Sequence, residues 1–222
     1  MADLRRACVA EALGTCLLVA GVVGSGIMAE RLTHDTALAL LCNTAATASV
    51  LIVLILALAP VSGAHFNPAV TLSVALRGEI GGRTAALYVL AQCIGAVAGT
   101  WLAHAMFALP VVALGIASRS GMAIWLSEFV ATFGLLLTIF ATRNDRFVAF
   151  AVGLYIAAAY WFTASTSFAN PAVTLARALT PTFSGIRPLD APAFMAAQVL
   201  GALAATLASA WLFGLPKRPA RA

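Results

Sequence analysis

The sequence predicts an all-α membrane protein in which six transmembrane helices and two re-entrant half-helices form an inverted repeat. Three observations carry that prediction: the composition is strongly apolar, six apolar segments are long enough to span, and one short motif recurs at matching places in the two halves. Of 222 residues, 62% are hydrophobic and 9% are charged. A soluble domain carries about 25% charged residues. The mean hydropathy of +0.99 agrees with a polytopic membrane chain.

The first apolar segment, about 7–29, follows Arg5-Arg6 and runs on for a full span, so it reads as a retained helix rather than a cleaved signal. The second covers about 37–59, the third 84–107, the fourth 123–142, the fifth 147–164 and the sixth 191–214. Crossing ~30 Å of hydrocarbon takes ~20 helical residues at ~1.5 Å each. The fifth segment is the shortest. Between the second and third lies His65-Phe-Asn-Pro-Ala-Val-Thr-Leu72, and between the fifth and sixth lies Ser167-Phe-Ala-Asn-Pro-Ala-Val-Thr-Leu175. Asn caps a helix start, and Pro suits the first helical position because the N–H it lacks would be unpaired there. Asn67-Pro68-Ala69 and Asn170-Pro171-Ala172 therefore each open a short helix, reaching about residues 76 and 179. Ten residues make ~15 Å, half the hydrocarbon thickness. A lone Asn-Pro is usually a turn, but a capped start repeated in two membrane-embedded halves is not.

Other pairs repeat with the motif. Glu11-Ala-Leu-Gly-Thr15 matches Glu128-Phe-Val-Ala-Thr132, and Ala91-Gln92 through Ala96 matches Ala197-Gln198 through Ala202. The chain thus reads as a single domain of two halves, about 1–110 and 120–216. Three spans per half make the halves enter the membrane from opposite faces, with a working site near the midplane where they meet. Non-helical backbone at that depth must be buried in protein or line a wet cavity. Residues 62–66 and 165–169 are accordingly candidate pore walls, with carbonyls free to accept from a passing molecule.

The formal charge of +5 does not point to nucleic acid, because the basic residues are spread over loops. Arg5, Arg6, Arg77, Arg83, Arg143, Arg146, Lys217, Arg218 and Arg221 fall on one side, and Arg31, Arg119, Arg177 and Arg187 on the other. The positive-inside rule then places both termini in the cytoplasm. Cys8, Cys16, Cys42 and Cys93 lack metal-ligand or redox spacing and read as small buried residues. No metal cluster, nucleophile–base pair or cofactor motif suggests an enzyme.

With both Asn-Pro-Ala motifs, the Ser62-to-Thr71 stretch, the paired Glu11 and Glu128 and the paired Gln92 and Gln198, the chain resembles the aquaporin and aquaglyceroporin family over nearly its whole length. The resemblance implies a pore in each subunit of a homotetramer, with small neutral solutes and the lipid bilayer as its partners and no cofactor. Asn67 and Asn170 would donate to a solute oxygen at the midplane, and the helix N-termini would repel cations. Glu11 and Glu128 are either structural acceptors for the loops or proton-coupling acids of a transporter. His65 is either a loop-packing residue of the cytoplasmic vestibule or a proton gate. His104 reads as a packing or interhelical hydrogen-bonding group.

The selectivity filter departs from the family. Most members carry Arg after the second motif, where this chain has Val173. Spacing from each Asn assigns Thr47, Ala158 and Ser167 to the other filter positions, with Tyr160 in place of Ala158 if the loop is shifted by two. The filter should be wide, neutral and mildly polar. Arg177 lies one helical turn on, either overhanging the outer mouth or standing on a solvated or interface surface. Thr174 replaces the Asp that glycerol facilitators place after the filter Arg. The stretches 161–173 and 183–188 are most similar to bacterial aquaglyceroporin-like channels of arsenic-resistance operons, which share the Val. That likeness implies passage of arsenite as neutral arsenous acid, with related metalloid hydroxides, glycerol and water, through a bacterial inner membrane.

Overall fold

The computed structural model describes residues 3–142 and 145–214. Arg143, Lys217, Arg218, Arg221 and the last two residues of the expected second half lie outside them. The helices are α1 (Leu4–Leu32), α2 (Thr36–Ser62), α3 (Pro68–Leu76), α4 (Gly82–Met106), α5 (Met122–Thr142), α6 (Val148–Phe162), α7 (Pro171–Arg177) and α8 (Ala191–Phe213). Six of them occupy the six apolar segments, and α3 and α7 are the two half-helices.

Local chemistry sets several ends. Asp3 accepts from Arg5 N to start α1, and Asp35 accepts from Ala37 N and Leu38 N to start α2. Helix α2 runs through Pro60, beyond the expected residue 59, and stops at Gly63, whose φ of 89° suits a residue without Cβ. Among the described residues, five helices are long and apolar enough to cross a membrane. The exception, α6, has 15 residues, or ~22 Å. It ends at Phe162 because Thr163 turns to an extended conformation and spends its hydroxyl on Ala159 O at 2.6 Å. Helix α7 is two residues shorter than expected. The chain beyond it is drawn into the loops, with Ile186 N donating to Arg177 O and Gly115 N to Ala178 O.

Packing follows the repeat. Helix α1 lies on α4 and α5 lies on α8. Gly95 and Gly201 make these approaches close: a Cβ at Gly95 would overlap Ala12 O, and one at Gly201 would overlap Phe129 O. Helices α1 and α8 have their chain-terminal ends at one face, here the near face. There Arg77, after α3, donates to Ser209 Oγ at 3.0 Å and Gly214 O at 3.2 Å. The α4–α5 loop and the end of α7 lie at the far face. The polarity is that of a protein in lipid. Leu126, Leu154, Leu207 and Trp211 face outward, whereas Glu11, Gln92, Glu128 and Gln198 are fully buried.

Candidate functional site: a pore between two half-helix tips

The two Asn-Pro-Ala tips meet inside the bundle. Asn67 Oδ1 caps its own helix from Ala69 N at 2.9 Å, and its Nδ2 donates across to Ala169 O at 2.7 Å. Asn170 mirrors this, accepting from Ala172 N at 2.9 Å and donating to Phe66 O at 2.8 Å. A side-chain amide carries two N–H donors, so each asparagine keeps a second one, and both residues line the same cavity. Pro68 and Pro171 hold the first helical positions, and Ala69 and Ala172 are buried beneath them. The crossing bonds correct one expectation: the carbonyls of Phe66 and Ala169 already have protein donors.

The approach loops are held in an uncommon conformation. Ala64, Phe66, Thr166, Ser167 and Ala169 have φ between 49° and 63°, each costing on the order of 1–2 kcal/mol for a residue with a Cβ. The buried acids offset that strain. Glu11 Oε1 accepts from Ser62 Oγ (2.7 Å) and His65 N (2.9 Å), and its Oε2 accepts from Phe66 N and Gln92 Nε2, both at 2.7 Å. Glu128 accepts from Phe168 N and Ala169 N at 2.9 Å and from Gln198 Nε2 at 2.7 Å. Gln92 and Gln198 also reach Thr71 Oγ1 and Thr174 Oγ1, tying the fixed loops to the half-helices. His65 contacts Thr71 Oγ1 through Nδ1 at 3.1 Å, meets the Tyr88 ring edge-on, and lines the cavity. His104 bridges Pro110 O and Thr180 Oγ1, both at 2.8 Å. The carbonyl only accepts, so Nδ1 carries the proton.

One cavity of about 360 Å³ extends from Glu79 at the near-face end to Arg177 at the far-face end, passing both asparagines. Its walls are helical stripes. Residues Val148, Val152, Ile156 and Tyr160 recur every four along α6 and all line it. Ala158 does not. Two residues turn a helix by ~200°, so Ala158 is exposed on the outer face beside Leu154. Tyr160, not Ala158, therefore stands opposite Thr47, with Oη 3.3 Å from Thr47 Oγ1. Ser167 and Val173 line the same cavity, and Ser167 Oγ is buried without a protein partner.

Arg177 is 2% exposed and lines the cavity, which excludes the solvated and interface alternatives. Its guanidinium lies over the Phe168 ring at 3.3 Å and donates from Nε to Ser184 O. Arg119, from the α4–α5 loop, approaches the same ring at 5.4 Å and donates from Nε to Gly185 O at 2.9 Å. Burial pushes the Arg119 guanidinium below its ordinary value. Its backbone N–H is held by Asp190 Oδ2 at 2.8 Å. The hydrogen bond from Arg187 keeps that carboxyl below the usual carboxylate range. Sequence reasoning missed Arg119 and the Phe168 ring. The four-residue stripe along 148–160 was a readable signal for Tyr160.

A six-span bundle enclosing a cavity between two capped half-helices defines a polytopic membrane channel. The chain belongs to the major intrinsic protein family, whose model matches residues 1–148 and 144–219. It is 60% identical over 219 residues to aquaglyceroporin AqpS of Rhizobium meliloti (strain 1021), covering 98% of this chain and 94% of that one. A probable TIP-type aquaporin of Medicago truncatula is 32% identical over 192 residues, 80% of this chain and 76% of that one. Among solved structures, the aquaglyceroporin from Plasmodium falciparum superposes with a TM-score of 0.71, covering 92% of this chain and 95% of that one. At 20% identity that likeness concerns the fold.

Proposed function

We propose that the chain is a passive channel for small uncharged solutes, with arsenite as arsenous acid and related metalloid hydroxides as favoured cargo, and glycerol and water also admitted. The observation that carries this reading is that Thr47, Tyr160, Ser167 and Val173 all line the cavity, and we take them as its filter ring. It is neutral and offers three hydroxyls. Arsenous acid is an uncharged solute with three hydroxyls of its own, similar in shape to a small polyol. The unpartnered Ser167 Oγ and the spare N–H donors of Asn67 and Asn170 are free to exchange hydrogen bonds with such a solute. Tyr160 narrows the ring relative to an alanine while adding a hydroxyl.

The reading includes a bacterial inner membrane, a homotetramer, and a single channel domain of two repeat halves. The near face is cytoplasmic, because the basic excess lies there. Direction follows the gradient, so arsenite formed inside a cell would leave. Glu11 and Glu128 act as structural acceptors, with their oxygens committed to loop and glutamine donors rather than to a transported proton.

Swelling of proteoliposomes in gradients of water, glycerol and arsenous acid tests the reading. Flux above the lipid background for all three, unaffected by an uncoupler, is expected. High water flux with no arsenous acid flux removes the metalloid assignment. Uptake that needs a pH gradient replaces the channel with a proton-coupled transporter.

A further inference from the structure

The charge missing at residue 173 reappears nearby on two other residues. Val173 and Arg177 are four apart on α7, so they share one face and stand ~6 Å apart along the axis. Both line the cavity, with Arg177 on the far-face side. Arg119 arrives from a different element, the α4–α5 loop. The two guanidiniums converge on one ring, Phe168, at 3.3 Å and 5.4 Å from its centroid. That ring is itself fixed, because Phe168 N donates to Glu128 and the ring meets Phe194 edge-on at 4.9 Å.

The charges are held rigidly. Among the described residues, the hydrogen bonds of both guanidiniums run to main-chain carbonyls and none to a carboxylate. Arg177 uses Ser184 O, and Arg119 uses Gly185 O (2.9 Å), Ser165 O (3.4 Å) and Phe183 O (3.5 Å). Carbonyls and a π face orient a guanidinium without cancelling its charge, and the Glu128 carboxylate, whose attraction both arginines feel, is already held by Phe168 N, Ala169 N and Gln198 Nε2. A cation entering here loses water while facing two fixed positive groups. A neutral solute meets no such barrier.

We propose that Arg177 and Arg119 form a positive collar at the far-face mouth that excludes protons and metal cations, displaced outward from the neutral constriction. Charge exclusion and size selection are thereby separated along the pore. The ring of Thr47, Tyr160, Ser167 and Val173 is left open to polyol-like solutes, and the collar keeps the pore closed to ions. The inference rests on the channel reading.

The full chain is reconstituted in vesicles containing a trapped pH dye. Proton flux per protein is read under a potassium–valinomycin potential, and water swelling is read in the same vesicles. The unmodified protein should conduct water with proton flux near the lipid background. Arg177→Gln should raise proton flux about tenfold or more, Arg119→Gln should raise it several-fold, and Arg177→Lys should return it to within about twofold of the unmodified protein. Proton flux within twofold of the unmodified protein in both glutamine variants overturns the collar, as does an unmodified protein as leaky as Arg177→Gln. If Arg177→Gln does not fold, as shown by lost water swelling, Arg119→Gln alone decides in the same way. An unmodified protein without water or solute flux removes the channel reading instead, a result the swelling arm reports separately.

Discussion

Replacing Glu11 by Ala should destabilise the protein by about 4 kcal/mol or more, because it strands four buried neutral donors at about 1–3 kcal/mol each. The reason is local. The carboxylate accepts from Ser62 Oγ, His65 N, Phe66 N and Gln92 Nε2 in a site with no solvent exposure. Each donor left without an acceptor costs about 1–3 kcal/mol, and the loop it would release contains two left-handed residues, Ala64 and Phe66. The measurement is thermal unfolding of the purified protein in detergent. A melting point many degrees lower is expected, together with loss of solute flux. Melting within two degrees of the unmodified protein would show that the loop supports itself. Glu128→Ala should behave alike, because it strands Phe168 N, Ala169 N and Gln198 Nε2.

The second large effect is on transport. Val173→Arg should reduce glycerol and arsenous acid flux at least tenfold and leave water flux within a few-fold. Val173 lines the cavity with Thr47, Tyr160 and Ser167. A guanidinium there fills the aperture, adds five N–H donors, and stands one turn from Arg177. Water is small enough to share the remaining space. Swelling in the three solutes reads the outcome directly. Unchanged glycerol and arsenous acid flux would place the constriction elsewhere.

The parts of the site that rest on helical phase and on paired motifs were legible in the sequence. Asn67 and Asn170 announced themselves through a cap followed by proline. Glu11 with Gln92, and Glu128 with Gln198, were legible as repeated pairs within apolar spans. Span limits agree to within about three residues because apolar length and capping groups set them. Reasoning failed where a loop intervened. Counting back from Asn170 to α6 crosses residues 163–169, and a segment holding Thr166, Ser167 and Ala169 in left-handed conformations carries no helical phase. That count selected Ala158. The phase of α6 itself selects Tyr160. Arg119 was illegible for a stronger reason. Its position depends on carbonyls at 165, 183 and 185 and on Asp190, all far along the chain. The crossing bonds from each asparagine to the opposite loop were hidden likewise, since they link residues about a hundred apart.

The claim on which the rest depends is that solutes pass between the tips of α3 and α7 and through the ring that includes Val173. A cysteine placed there tests it most directly. Val173→Cys is made in a background with Cys8, Cys16, Cys42 and Cys93 changed to Ala, reconstituted, and treated with a bulky methanethiosulfonate, which attaches through a reducible disulfide and releases sulfinate. Glycerol flux should fall to the lipid background as labelling approaches one reagent per chain, and a reducing agent should restore it. Complete labelling with glycerol flux unchanged would contradict the account, because the solute would then be taking a path that avoids Val173.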